Sequence, residues 1–307
     1  MSASSDCSLS ATLQSSHDAE SIEAPAAENT AADERKPWCI FTIVREEDFY
    51  LPKWVEYYGQ FLPLSDLHVI NHVPKSNEPG TDKCTEFLKD TGARLYVEDE
   101  EFFSSRWLRD VVVQYQTQLL KEYRAVIFTD VDEIIFINPA SGFADLGDFM
   151  CNCFVPDQEV QSLRVNAYQI VHLPDAGEPE FDFSQPILSQ RMYWFRDRYY
   201  DKPLLTKKPL NYVHGFHTAS DMNKVVNPHV YMLHLHQFDF DWYIKRHLRW
   251  AKEFKVCDED KRSTYNSHYR QTDVDKLEFQ YYHQLFSKAR IVPQLIERWV
   301  RDSLRVI

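Results

Sequence analysis

Asp130 and Asp132 interrupt the apolar, β-branched run Ala125-Val126-Ile127-Phe128-Thr129, which resumes at Ile134-Ile135-Phe136. Carboxylates among such neighbours are costly unless they are paired or bind a cation. Alternate residues of an extended chain face one way, so the spacing predicts that both acids converge on one ion. Two hard oxygen ligands suit Mg2+ or Mn2+, leaving the rest of the shell to water and a substrate phosphate. The plain alternative is a pair of acids capping a turn after a core strand.

Other side chains with chemical potential lie further on. The carboxylate-rich loop Leu173 to Asp182 offers Glu180 or Asp182 as a base for an acceptor hydroxyl, although exposed acids more often only solvate a loop. His234 and His236 alternate within Val230 to His236 and so share one face of a strand. With His214 and His217 they offer enough imidazole for zinc, but no Cys lies near and no catalytic Glu stands in register.

These residues need a framework. Trp38 to Val44 reads as a first strand. Leu51, Trp54, Val55 and Tyr58 then recur at helical spacing, with Asp48 as cap and Gly59 at the end. Leu67 to Ile70 and Arg94 to Val97 read as two more strands, with a helix over Thr81–Lys89 between them. Ser104 or Ser105 caps a long helix carrying Trp107, Leu108, Val111, Val112, Tyr115 and Leu119. The stretch holding the Asp pair is the fourth strand. Strands alternating with helices predict a parallel sheet that binds ligands at its carboxyl edge, where Arg45, Asn71 and the Asp pair all fall.

Composition narrows the function. With 34 Lys+Arg against 47 Asp+Glu, the net charge of -13 argues against nucleic-acid binding, which needs cations for phosphates. The 6 Cys show no disulfide framework, and Cys151 and Cys153 are too close for an ordinary bridge, which points to a reducing cytoplasm. No run is apolar enough to span a bilayer and no signal peptide opens the chain. Residues 1–36 are Ser, Ala, Glu and Asp with almost no large apolar side chain, the composition of a disordered tail. A basic helix near 242–255 is most simply a solvated face, and otherwise meets an anionic acceptor or the inner face of a membrane. Leu295, Ile296, Trp299, Val300 and Leu304 predict a final helix that docks on the core or pairs with another subunit.

The order Thr42-Ile43-Val44-Arg45-Glu46-Glu47, Ile70-Asn71-His72, Gly80-Thr81-Asp82 and Thr129-Asp130-Val131-Asp132-Glu133 resembles a GT-A glycosyltransferase of the family 2-like group. The resemblance spans roughly residues 37–250. It implies a Rossmann-like α/β fold with a mixed, mostly parallel sheet flanked by helices. Residues 37–140 would form the nucleotide-sugar half, 141–255 the acceptor half, and 256–307 a helical extension packed on the domain. It further implies that Thr42, Val44, Arg45, Glu47, Asn71, Asp82, Asp130 and Lys202 hold a UDP- or GDP-sugar, although Asn71 stands where the family commonly has Asp. Asp130, Asp132 and His217 (or His214) would hold Mn2+ or Mg2+. The reaction implied is an inverting hexosyl transfer to a glycan or lipid-linked acceptor.

Two other readings fit the same residues. A haloacid-dehalogenase-like phosphatase also ends an apolar strand in Asp-x-Asp, with Asp130 as nucleophile and Asp132 as acid/base. Against it, the motif stands on the fourth strand, and Cys257-Asp258-Glu259-Asp260 lacks the strand that would carry the magnesium acids. The third reading is a catalytically silent nucleotide-sugar-binding protein. Independently of these, deletion of residues 1–32 should leave the Tm and donor hydrolysis unchanged. A large fall in Tm, read by differential scanning calorimetry, would show that the segment contributes to the fold.

Overall fold

The structure, a computed structural model, describes residues 33–77, 82–253, 271–282 and 293–307. The expected tail therefore lies outside the described residues up to position 32, as do residues 256–270 and 283–292 of the expected C-terminal extension. Ten strands form one sheet: β1 Lys36–Val44, β2 Leu67–His72, β3 Arg94–Glu98, β4 Tyr123–Phe128, β5 Glu133–Ile137, β6 Ser162–Val171, β7 Tyr193–Arg196, β8 Pro203–Thr206, β9 Val226–Gln237 and β10 Gln294–Leu295. The helices that pack on it include α1 Tyr50–Tyr58, α2 Lys83–Leu88, α3 Ser105–Leu119, α4 Leu146–Phe149, α5 Ile187–Gln190, α6 Phe240–Glu253, α7 Val274–Phe279 and α8 Arg298–Ser303.

The first four strands lie in the order β3-β2-β1-β4, all parallel. This is the Rossmann-like half of the expected α/β fold, and the topological switch point falls between β1 and β4. Beyond β4 the ladders are antiparallel through β8, β6, β7 and β10, except that β6 and β9 run parallel. Buried runs such as Cys39-Ile40-Phe41 and Ala125 to Phe128 explain the centre of this sheet, since both faces are covered.

The stretch containing the Asp pair is two strands and not one. β4 ends at Phe128, the chain turns with Glu133 N–H donating to Asp130 O at 3.0 Å, and β5 leaves to pair antiparallel with β9. Helix α1 explains why the break is stable. Its apolar stripe is buried as the spacing predicts, and its polar atoms reach the broken strand. The Trp54 indole donates to Thr129 Oγ1 at 2.9 Å, Tyr57 donates to Ile135 O, and Tyr58 Oη both donates to Glu133 O and accepts from Ile135 N–H. Backbone groups freed by the turn are thereby satisfied by side chains.

The other expected caps are mixed. Ser104 caps its helix as expected, accepting from Trp107 N–H, while Asp82, not among the expected caps, accepts from Thr85 N–H and starts α2. Asp48 does not cap α1, whose N-cap is Phe49; it pairs with Lys83 at 2.5 Å instead. At the C-terminus Ile296, Val300, Leu304 and Ile307 are buried in the main core, so this segment docks on the sheet. Leu295 departs from its expected helical face, because it lies in β10 and is exposed. Among the described residues no helix is long and apolar enough to cross a membrane.

Trp54→Phe keeps the ring but leaves the buried Thr129 hydroxyl without its donor. A loss of about 1–3 kcal/mol is expected in urea unfolding. An unchanged midpoint would show that this hydrogen bond does not hold the turn.

Candidate active site

A cavity of about 480 Å³ opens at the carboxyl ends of β1 and β4. Val44 reaches it from the end of β1, Arg45 and Glu47 from the segment that follows, and Asp130 and Asp132 from the turn after β4. Lys202 and His217 enter from the second half of the chain, and His234, His236 and Arg246 from β9 and α6. Residues far apart in sequence thus share one crevice at the switch point, where open α/β sheets bind ligands.

The two acids of the motif diverge. Asp130 accepts from Lys202 Nζ at 2.7 Å and keeps about 35% of its side chain exposed. The same ammonium lies 2.6 Å from Glu133, whose carboxylate is fully buried. Burial works against a charged Lys202, but Asp130 and Glu133 more than compensate and hold its pKa above the ordinary lysine value. For Glu133 burial wins: its pKa is raised, despite Lys202.

Asp132 turns the other way. Arg246 Nη1 donates to its Oδ2 at 2.5 Å, while His234 Nε2 and His236 Nδ1 each stand 3.6 Å from one of its oxygens. Burial alone would raise the Asp132 pKa, yet Arg246, followed by His234, holds it well below the ordinary carboxylate range. Arg246 also forks onto Glu47 Oε1, with Nε at 3.2 Å and Nη2 at 2.9 Å, and its guanidinium is flanked by the Tyr50 and Trp250 rings. Burial brings His236 down to about 4, so this imidazole is neutral at pH 7.

The remaining expected residues are dispersed. His217 lines the cavity with its ring against Tyr199 and Tyr200, and burial followed by the nearby Lys202 charge lowers it to about 3. The side chain of His214 lies outside the described residues. Thr42 is buried within β1 and does not line the cavity. Asn71 donates to Asp82 at 2.7 Å, so this pair anchors the start of α2 and stands outside the cavity. Asp182 folds onto Ser184, accepting from its N–H and its hydroxyl, and neither Asp182 nor Glu180 lines the cavity.

Glu133, Arg246 and the role of His234 and His236 beside Asp132 were not foreseen as site features. A signal for Arg246 existed. Tyr243, Arg246, His247 and Trp250 recur at i, i+3, i+4 and i+7, and all four are buried, so the basic helix turns an arginine inward. Lys245 and Lys252 of the same helix are exposed, and Lys255 lies outside the described residues.

Among the described residues, Asp132, His234 and His236 could hold a metal, with one ligand atom from each lying within 4.8 Å of the others. One carboxylate and two imidazoles form a set that fits a first-row divalent ion such as Mn2+. Asp130 faces Lys202 in place of this cluster.

No family model and no curated protein matches the chain. Among solved structures, it is similar to residues 1–349 of S. aureus TarS, with a TM-score of 0.35 and 12% identity over 82% of this chain and 72% of that one. The same TarS segment in complex with UDP-GlcNAc gives a TM-score of 0.33 at 12% identity, over 82% and 73% of the two chains. Its UDP complex gives 0.32 at 12%, over 82% and 72%. Likeness of this size assigns no activity to the chain.

Replacing Lys202 by Met leaves Asp130 and the buried Glu133 without their cation. Breaking a buried pair in this way should cost about 3–5 kcal/mol in urea unfolding at pH 8. Glu133 has a raised pKa, so below it the native state holds a proton that the unfolded state does not. The loss should therefore shrink as the pH falls toward 5. An equal loss at both pH values would show that the uncompensated carboxylate is not its cause.

Proposed function

We propose that the chain is a metal-dependent glycosyltransferase that moves a hexose from a UDP- or GDP-sugar to a glycan or lipid-linked acceptor, with inversion. The observation that carries this reading is the convergence, in one crevice at the β1/β4 switch point, of the segment Val44 to Glu47, the Asp130–Asp132 turn and Lys202. Each answers a need of the reaction. Arg45 lies where a diphosphate would enter the carboxyl edge of β1, and Lys202 brings an ammonium to the same cavity. Aromatic walls such as Trp107 and Tyr200 exclude water and strengthen the electrostatics of the site. Mn2+ or Mg2+, when bound through Asp132, would supply charge against the departing diphosphate.

The acceptor hydroxyl must lose a proton, and a base must stand within hydrogen-bond reach of it. Glu180 and Asp182 keep that role in this reading if donor binding draws their loop over the crevice. Exposed Lys245 and Lys252 on α6 suit an anionic acceptor or the inner face of a membrane, in keeping with a cytoplasmic enzyme. The phosphatase reading is disfavoured by Asp132. A carboxyl held well below its ordinary pKa by Arg246 carries no proton to give a leaving group.

The test is nucleotide-sugar hydrolysis across a donor panel with Mn2+ present. Release of UDP or GDP is expected, and Asp132→Asn should reduce it at least a hundredfold while circular dichroism stays unchanged. Turnover of phosphomonoesters, with no nucleotide released from any donor, would reject the proposal.

A further inference from the structure

The position of Arg246 in the Asp132 cluster points beyond a generic metal site. Its Nη1 lies 2.5 Å from Asp132 Oδ2 and 3.2 Å from His236 Nδ1, within hydrogen-bond reach of two of the three candidate ligands. A guanidinium has no acceptor, so His236 Nδ1 must present a lone pair to it. A divalent ion would need that same lone pair. Positive charge thus already stands at the mouth of the donor set, supplied by the protein.

The other side of Arg246 offers it a second seat. Nε and Nη2 fork onto Glu47 Oε1, and Glu47 Oε2 is buried with no hydrogen-bond partner among the described residues. A buried carboxylate oxygen in that condition is costly, and a further guanidinium hydrogen bond would relieve it. Tyr50 and Trp250 flank the guanidinium with their rings 4.7 and 4.3 Å away, so a shift toward Glu47 keeps its apolar cover. His234 Nε2 stands 3.6 Å from Asp132 Oδ1 and His236 Nδ1 3.6 Å from Oδ2, and one ligand atom from each of the three residues lies within 4.8 Å of the others, so drawing them onto one ion takes side-chain shifts and no change of fold.

We infer that Asp132, His234 and His236 form a divalent-metal seat that the Arg246 guanidinium holds in the metal-free chain, so that loading the ion and passing Arg246 wholly to Glu47 are one event. This inference deepens the glycosyltransferase reading and takes from it only the need for a metal. Two imidazoles and one carboxylate make the seat selective for Mn2+ over Mg2+, which prefers an all-oxygen shell. The arginine makes loading competitive, because a ligand gains only its advantage over the occupant it displaces.

The test is Mn2+ binding to the full-length protein, read by electron paramagnetic resonance titration with nitrogen modulation from bound imidazole. Wild type should bind one Mn2+ with two coordinated nitrogens, at least tenfold more tightly than Mg2+ measured by competition. His234→Gln and His236→Gln should each weaken Mn2+ at least tenfold and remove one nitrogen signal. Arg246→Gln, which removes the occupant, should tighten Mn2+ at least tenfold. If that variant does not fold, Glu47→Gln removes the second seat instead and should weaken Mn2+ at least tenfold. Unaltered Mn2+ affinity in both His variants overturns the seat, and unaltered affinity in Arg246→Gln or, in its place, Glu47→Gln overturns the exchange. Separate titrations with UDP and GDP keep the two readings apart: metal binding without nucleotide binding rejects the glycosyltransferase and leaves the seat standing.

Discussion

The structure depends on burying charge at the break between β4 and β5. Glu47, Asp132 and Glu133 are each under 5% exposed, and their partners Lys202 and Arg246 are 2% and 5% exposed. Desolvating an ion costs several kcal/mol even after relaxation, and pairing recovers this only when the geometry is held closely. Much of the surrounding architecture answers that requirement. The α1 side chains fix the turn that aims Asp130 and Asp132 apart, and β8 begins immediately after Lys202. Helix α6 is fixed at its start: Asp239 accepts Trp242 N–H and is itself gripped by the fully buried Arg191 at 2.5 Å. One turn further on, the same helix delivers Arg246.

Rings then lower the local dielectric. Tyr50 and Trp250 flank Arg246, Tyr200 lies beside Lys202, and His236 stacks on Trp250. Poor solvation strengthens each ion pair and also raises the penalty for leaving any member alone. The crevice is therefore organised by opposed demands: open enough to admit a ligand beside Asp130, and dry enough to keep Asp132 and Glu133 paired.

The sequence made the scaffold legible and the wiring less so. Periodicity reveals strands and helices because burial on one face is a local property, and the α1 stripe, the Ser104 cap and the β9 alternation are all of that kind. Both acids of the Asp-x-Asp spacing line the crevice. The spacing misled about direction, because alternation holds only while a strand continues, and this one turns at Thr129 to Asp132. Arg246 is 114 residues from Asp132, and Lys202 is 72 from Asp130, separations at which no local pattern reveals which cation meets which acid. Asn71 and Asp82 illustrate the reverse failure. Both carry polar chemistry at the expected edge, yet they spend it on one another in starting α2.

Charge balance supplies the last step. Asp130 and Glu133 share the single cation Lys202, while Glu47 and Asp132 share Arg246. Each cluster has two acids to one buried base and so carries one net negative charge with its acids ionised. Arg249 lies farther off, at 3.7 Å from Glu47 and from Asp48, and divides its charge between them. A diphosphate entering the crevice would add negative charge beside both clusters, with Arg45 as a further lining cation, and the low dielectric makes such repulsion expensive. Protonating Glu133 relieves part of it, which is the direction its raised pKa already takes. In the proposed reading a divalent ion relieves more, because it would answer both the residual charge of the clusters and that of a diphosphate, with Arg246 as its inferred stand-in.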